Sequence, residues 1–404
     1  MTMIKKYFFV ILFMFLHFTF SLYAQSTYSP YSMLGLGEID NQDYGRTSGM
    51  SNIGIGVRDF DYLNPANPAA ISGLDSLRFI FDLSVAGKLS YYSRKSNSDN
   101  AFNGNFKKMA AGFRLSSRWG FSFGLKPFSD VGYRINSEEP IEGTTATKDV
   151  YLEGSGGLYD LYISNGFKIT DNFSVGINTM YIAGTIKQTE NQQEYLFEKE
   201  SRASQIYNTF GLQYHKKGLT IGATYGYKQN IKLKNKTYVY DSSYNLIDEE
   251  NDRSTGQFIP ETMGIGFSRA NKKFIWGADF QYRKWKGLDS GVSNAKIVDS
   301  YKVNAGLGYT PNSDKFYRVR NQGQIQAGAS FSKSYIQVAG QSAYNYSVST
   351  GYSLPVGKDG TMLNLSLEYG NTLSAPSGYI KESYFMLTLN CSIIEQWFKR
   401  SKIY

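Results

Sequence analysis

The residue types that most often carry catalysis or hold metals are scarce in this 404-residue chain: two histidines, His17 and His215, and one cysteine, Cys391. His17 falls in an N-terminal apolar run expected to be removed, and one histidine with one cysteine is too little for a Cys/His zinc site. His215 is followed by Lys216-Lys217, which reads as a solvated strand end. The acidic run Asp248-Glu249-Glu250-Asn251-Asp252 has oxygen donors for a divalent cation, yet its place in the longest expected connection reads as a solvated loop. Gly35-Leu36-Gly37 and Gly54-Ile55-Gly56 have the small residues of a phosphate cradle without the strand–turn–helix frame that such a site needs. The chain is therefore expected not to be an enzyme and to use neither metal nor cofactor.

What remains to be explained is a container and its filling. Residues 1–24 carry Lys5 and Lys6, an apolar run from Tyr7 to Phe20, and Ala24 before Gln25. These are the n-region, h-region and cleavage site of a secretory signal peptide, cut after Ala24. A glutamine at position 25 argues against a lipid anchor. Beyond it, no apolar run reaches the roughly eighteen residues of a spanning helix. The composition, 33 Tyr, 27 Phe and 40 Gly with only 9 Pro, suits strands whose alternate residues face lipid. A lone cysteine excludes an internal disulfide framework. The formal charge of +9 falls to +7 when Lys5 and Lys6 leave. Basic residues are dispersed over strand ends and turns, as at Lys272-Lys273, Arg318, Arg320 and Lys399-Arg400, and not gathered in a stripe. No nucleic-acid partner is expected; contacts with outer-membrane lipid and lipopolysaccharide are.

Residues 25–76, above all the stretch from Tyr28 to Leu74, are rich in Gly, Pro, Asn and Ser and follow neither helical nor strand periodicity. Isolated apolar residues such as Met33, Leu36, Met50, Ile53, Ile55, Leu63, Ile71 and Leu74 argue against plain disorder. The segment reads as a plug held inside a wall. Residues 77–394 supply that wall, in runs of period-two alternation beginning near Leu77, Phe102, Trp119, Val150, Asn172, Arg202, Gly218, Thr255, Lys272, Val298, Gln322, Tyr344, Thr361 and Gly378. In the ninth run Phe274, Trp276, Ala278 and Phe280 oppose Gly277, Asp279 and Gln281; in the eleventh Ile325, Ala327 and Ala329 oppose Gln324, Gln326 and Gly328. A secreted β-sandwich would alternate too. Connections separate the two: long ones, such as Asn136 to Asp149, Thr189 to Ser201 and Asn235 to Ser254, alternate with short turns such as Ser117-Arg118 and Lys216-Lys217. That is the pattern of an all-β, 14-stranded antiparallel transmembrane β-barrel, with the N-terminal plug inside its lumen and a basic aromatic tail at 395–404.

With plug, strand number and signal in place, the chain resembles the FadL/TodX family of outer-membrane barrels, most closely a branch from Bacteroidota. The residues that carry the resemblance are the opening SPYSMLGLGE (Ser29 to Glu38), the doubled Asn64-Pro65-Ala66-Asn67-Pro68-Ala69 ahead of the first strand, and the ending Glu395 to Arg400. Proline after asparagine gives rigid bends, and Asn64, Pro65, Asn67, Pro68 and Ala69 are the expected plug or hatch residues, a plain turn being the simpler reading. The resemblance implies passive uptake of hydrophobic small molecules, a kink in the third strand and a sideways opening there, which places Pro127 and Phe128 at the opening. A bulge that serves only curvature would account for the same proline.

A second expectation has a different class. The barrel is a structural or accessory subunit of an outer-membrane assembly or secretion complex, and carries nothing. Inward faces with Asp279, Gln281, Arg283, Gln324 and Gln326 are poor lining for a greasy ligand. The long turn Pro311 to Asn321, with Phe316, Tyr317 and Arg318, and the tail with Trp397 and Phe398 are the expected partner contacts. An open porin is the third reading.

Overall fold

The computed structural model describes residues 29–39, 44–94, 97–140, 143, 145, 147–192, 194–285, 295–311, 322–338, 340–356, 360–375 and 379–396. Fourteen antiparallel strands close into a barrel. They are β1 (Arg78–Arg94), β2 (Asn97–Arg114), β3 (Trp119–Pro140), β4 (Thr147–Lys168), β5 (Phe173–Asn191), β6 (Tyr195–Lys216), β7 (Leu219–Gly226 and Gln229–Asp241), β8 (Leu246–Ile259 and Glu261–Ala270), β9 (Phe274–Lys284), β10 (Ala295–Ile297 and Ser300–Tyr309), β11 (Gln324–Val338), β12 (Gln341–Val356), β13 (Thr361–Ser374) and β14 (Lys381–Gln396). β14 pairs with β1 from Lys381–Ser93 to Gln396–Arg78, which leaves no outer edge. Pro260, without an N–H to give to a ladder, separates the two parts of β8.

Alternation sorts the two faces of this wall. Ile221, Tyr225, Trp276, Phe280, Ile325 and Val348 point outward and are exposed, while Thr220, Asp279, Gln326 and Ser349 between or beside them are buried inside. An apolar belt around a closed barrel is what a bilayer accommodates, and the chain is an outer-membrane-type β-barrel. Aromatic pairs ring the short-turn rim, among them Phe79–Phe113 at 5.7 Å, Trp119–Phe167 at 5.6 Å and Phe274–Tyr309 at 4.9 Å between ring centroids.

Three of the connections expected to be long are mostly sheet. β3 runs to Pro140 before β4 starts at Thr147, β5 and β6 pair as far as Asn191–Leu196, and β7 and β8 as far as Tyr240–Leu246. Above the bilayer both faces of a hairpin are wet, so hydrophobic alternation disappears from the sequence while backbone pairing continues. The acidic run is accordingly part of β8, not a loop, and faces the lysines of β7: Lys236 Nζ lies 3.7 Å from Glu249. Among the described residues no cluster of His, Cys, Asp and Glu could hold a metal. The segment 1–24, the residues Phe316, Tyr317 and Arg318, and the tail with Trp397 and Phe398 lie outside the described residues.

The plug has three short 3-10 turns, Pro30–Met33, Ser48–Met50 and Pro68–Gly73, and one two-residue strand, Glu38–Ile39. Its apolar residues are not scattered over a surface. Ile53, Ile55, Leu63, Ile71 and Leu74 are almost completely buried against the inside of the wall.

Candidate functional site

The plug is seated by inward polar residues that the wall's alternation brings to one level. Asp279 on β9 accepts backbone N–H bonds from Gly54 at 2.6 Å, Ile55 at 2.9 Å and Gly56 at 3.4 Å. The Gly-Ile-Gly turn is thus an anion cradle after all, and the anion is the chain's own carboxylate. Gln213 on β6 donates to the carbonyls of Ile55 and Val57, both at 3.1 Å, and Ser268 on β8 to that of Gly56 at 2.6 Å. Ser349 on β12 donates to the Gly49 carbonyl at 3.1 Å and accepts from the Ser51 N–H at 2.9 Å. Arg58 reaches Ser174 and Ser72 at 2.9 and 3.0 Å; burial, and then the neighbouring Arg114, pull its guanidinium down to about 10.

Within this seat the doubled Asn-Pro-Ala does more than turn the chain. Asn64 donates to the carbonyls of Gly54 and Val57 at 2.7 and 2.9 Å and accepts from Ala66 N–H, closing a ring inside the plug. Asn67 donates to Ile55 and to Leu212 on β6, both at 3.0 Å, and its Oδ1 caps the turn Pro68–Gly73 by accepting from Ala69 N–H. Pro65 is part of the bend between them, and Pro68 and Ala69 lie buried against β5. Gly222 on β7 faces the Ile55 carbonyl so closely that a Cβ there would collide with it. Inward glycines at Gly166, Gly176, Gly306 and Gly328 admit the plug backbone in the same way. A glycine in mid-strand is the sequence signal of close backbone approach, and its recurrence on the inward face was the available clue.

Above the seat the lumen has two unlike sides. On the side of β3 to β8, Phe128, Val131, Leu158, Ile182, Ile186, Ile231 and Leu233 are buried and join Leu36 and Leu63 of the plug in one apolar core. On the side of β9 to β14, β1 and β2 lies a cavity of about 310 Å³, lined by Ser29, Tyr31, Glu38, Ile39 and Tyr44 of the plug and by mostly polar wall residues. Among the described residues its lining holds five basic ones, Lys88, Lys107, Arg283, Lys302 and Lys333, and three acidic ones, Glu38, Asp130 and Glu382. Lys88 pairs with Glu382 at 2.7 Å, and Ser90 and Tyr92 donate to the same carboxylate. Tyr31 of the plug stacks on Tyr379 at 4.6 Å and its hydroxyl oxygen accepts from Ile380 N–H at 2.6 Å. Burial, then Tyr379, hold the Tyr31 phenol well above its ordinary range, so it remains a donor. Lower down, Lys108 and Asp82 form a buried pair at 2.6 Å that Ser392 extends to β14.

The wall is interrupted beside this cavity. β3 pairs with β2 only from Arg114–Gly120 to Met109–Leu125, although it pairs with β4 along its whole length. Pro127 and Phe128 follow the last β2–β3 pair after one residue, Lys126. A bulge between Pro127 and Ser129 turns Phe128 inward to 3% exposure, and beyond Leu125 β3 makes no further pair with β2. The plug covers the β3 edge: Glu38 and Ile39 pair with Asp130 and Ser129, and Ser29 N–H donates to the Gly132 carbonyl at 2.8 Å. Across the opening Asn105 of β2 donates to Asp130 at 3.4 Å. His215 takes no part in any of this; its ring nitrogen bonds Thr220 Oγ1 at 2.8 Å, and it is half-buried instead of solvated.

A closed barrel of fourteen strands with an N-terminal plug and a parting between its second and third strands is a plugged outer-membrane barrel of the FadL/TodX fold. Solved structures similar to it over nearly their whole length include the CymD monoaromatic hydrocarbon channel, at 13% identity and a TM-score of 0.59 over 91% of this chain and 98% of that one. The Ralstonia pickettii toluene transporter TbuX is 15% identical with a TM-score of 0.60 over 86% and 96%, and a Pseudomonas aeruginosa FadL homologue 14% identical with 0.59 over 90% and 99%. At such identities the likeness is one of fold. No curated protein sequence matches the chain. By sequence the chain belongs to the BamG family, whose model it matches over residues 3–404. The resemblance read from the sequence therefore holds for the fold, while the family is BamG.

Proposed function

We propose that this protein is a non-transporting accessory barrel of an outer-membrane protein assembly or secretion complex. The observation that carries the reading is the seat of the plug. Bonds from β6, β8, β9 and β12 fix it in the lumen, and what space remains is charged and lined with tyrosines. Burying an unpaired charge beside a hydrocarbon costs several kcal/mol, so the lumen is a poor path for greasy solutes. Membership of the BamG family favours an accessory role. The test is extraction of the tagged protein from its own outer membrane in mild detergent, native sizing and identification of what accompanies it. Stoichiometric protein partners in a large assembly are the expected result; a lone barrel holding a hydrophobic small molecule would overturn it.

A second reading has its own support. The parting after Met109–Leu125, at Pro127 and Phe128, and the likeness of fold to hydrocarbon channels favour passive uptake of a hydrophobic compound, with Asn64 to Ala69 as part of a hatch. On that reading Pro127→Ala and deletion of the plug each abolish uptake of a hydrophobic tracer by whole cells.

A further inference from the structure

We infer that the periplasmic mouth of the barrel, below the plug between β2 and β6, is a docking site for an extended acidic segment of a periplasmic partner protein. The inference rests on the accessory reading and names the kind of partner.

Strand register gathers what the sequence scatters. Gly112 on β2, Gly166 on β4 and Gln213 on β6 all face the plug: a Cβ on either glycine would meet Leu63 or Ser72, and Gln213 bonds the carbonyls of Ile55 and Val57. Two residues further along each strand, on the same face and nearer the short turns, stand Arg114, Lys168 and His215, all half-buried. Each is more than forty positions from the next in the chain. Lys168 pairs with Ser174 on β5, and Ser174 pairs in turn with Gln213. The Ser174 hydroxyl accepts from Arg58 of the plug at 2.9 Å. Three alternate strands and the plug thus bring basic groups to one opening, and Arg118, Lys216 and Lys217 extend them onto exposed turns.

These cations are oriented but not neutralised. Arg58 spends its N–H groups on the hydroxyls of Ser174 and Ser72, and Arg114 on the carbonyls of Ser116 and Ser117. Among the described residues Arg58, Arg114 and Lys168 have no ion-pair partner. Like-charge repulsion runs from Arg114 to Arg58, from both to Lys168, and from Arg58 and Lys168 to the charged form of His215. The carboxylates that act on Lys168 are Asp171, on an exposed turn, and Asp75, which lies 3.6 Å from Arg78. Charge of one sign at a mouth with low-dielectric walls concentrates the opposite sign.

Spacing and sign select the occupant. Neighbouring strands lie about 4.8 Å apart, so β2 to β6 spans roughly 20 Å of the mouth, the length of about six residues of extended chain. A single carboxylate or phosphate, bonding at about 2.8 Å, answers two such groups at most. The chain's own candidates have the wrong sign. Residues 397–404 carry Lys399, Arg400 and Lys402 and no acidic side chain, and residues 312–321 carry Asp314 against Lys315, Arg318 and Arg320. The acidic run Asp248 to Asp252 belongs to a hairpin at the opposite end of the barrel, and a second copy would present the same cations.

The full-length protein in neutral detergent is titrated at low ionic strength into fluorescein-labelled hexaglutamate or hexaglutamine, and binding is read by anisotropy. We expect hexaglutamate to bind roughly tenfold more tightly. Arg114→Glu with Lys168→Glu should remove that preference, whereas Lys272→Glu with Lys273→Glu, on the turn between β8 and β9, should leave it within about twofold. If the first variant does not fold, Arg114→Gln with Lys168→Gln reads the same loss. Equal binding of the two peptides would overturn the proposal. An equal loss in both charge reversals would overturn it too, since net charge alone would then attract the peptide. Full displacement by an equimolar amount of inorganic phosphate would make this a small-anion site and overturn the docking of a segment. Extraction from the native membrane separates the inference from the reading beneath it. An assembly that survives Arg114→Glu with Lys168→Glu overturns the docking site alone; a lone wild-type barrel overturns the accessory role itself.

Discussion

The two sides of the lumen are built from the same kind of strand and do opposite things. From β3 to β8 aliphatic and aromatic inward residues above the plug pack into one core, with Leu158 and Ile182 fully buried and Asp160 buried beside them 3.8 Å from Lys126. From β9 round to β1 they are polar, and a cavity remains. The difference teaches that a barrel lumen need not be uniformly filled. One side gains from removing apolar area from water, about 25 cal/mol per Å², and makes the wall rigid. The other keeps its polar groups solvated or paired and leaves room. The parting between β2 and β3 lies where these two sides meet.

The comparison can be broken by substitution, beginning where the packing is tightest. Ile182→Ala should cost about 2–5 kcal/mol, because the surrounding core cannot collapse into the hole; denaturant titration of the folded gel band in detergent measures it. Asp279→Ala should cost on the order of 3 kcal/mol, since three plug N–H groups lose a charged acceptor at once. It should also expose residues near Gly54 to protease while the barrel persists, which limited digestion followed by mass spectrometry would reveal. Gly222→Ala should cost about 1–3 kcal/mol by pushing the Ile55 carbonyl off the wall, and Asn67→Ala about 1 kcal/mol through loss of the cap at Ala69. On the open side, Asn345→Ala should move stability by less than about 0.5 kcal/mol. A cost there as large as that of Ile182→Ala would mean the two sides are not mechanically distinct.

Much of this was legible in the sequence, and the reasons differ from place to place. Alternation such as Phe274, Trp276, Phe280 against Asp279 and Gln281 is imposed by the bilayer, so it survives in every strand at membrane depth and the strand number could be counted. The same logic fails above the membrane. The hairpin containing Asp248 to Asp252 is wet on both faces and has no hydrophobic period to read, so in the sequence it looks like a loop. The polarity of Asp279 and Gln326 was visible; that they bind plug backbone, and not ligand, was not, because each contact joins residues more than two hundred positions apart. The apolar side is hidden in the sequence for a related reason. Ile231 and Leu233 alternate with the exposed Lys232 and Lys234, an apolar-in and polar-out order that is the reverse of the bilayer belt's, and Ile182 and Ile186 share their strand with the outward Tyr181.

The Gly54–Gly56 turn and its carboxylate have a consequence for time as well as for space. The plug is made before the wall, yet its partners lie on β6, β9 and β12 and, for Tyr31, at Ile380 just ahead of β14. The earliest segment cannot settle until the latest strands have arrived. It must therefore wait, bound to something or to nothing, while the wall is built around the place it will occupy. Contacts of such long sequence separation delay folding. Correct seating then serves as a report that the strands up to β13 are present and in register, so a chain truncated after β11 should keep a protease-sensitive N-terminus however many of its strands have formed.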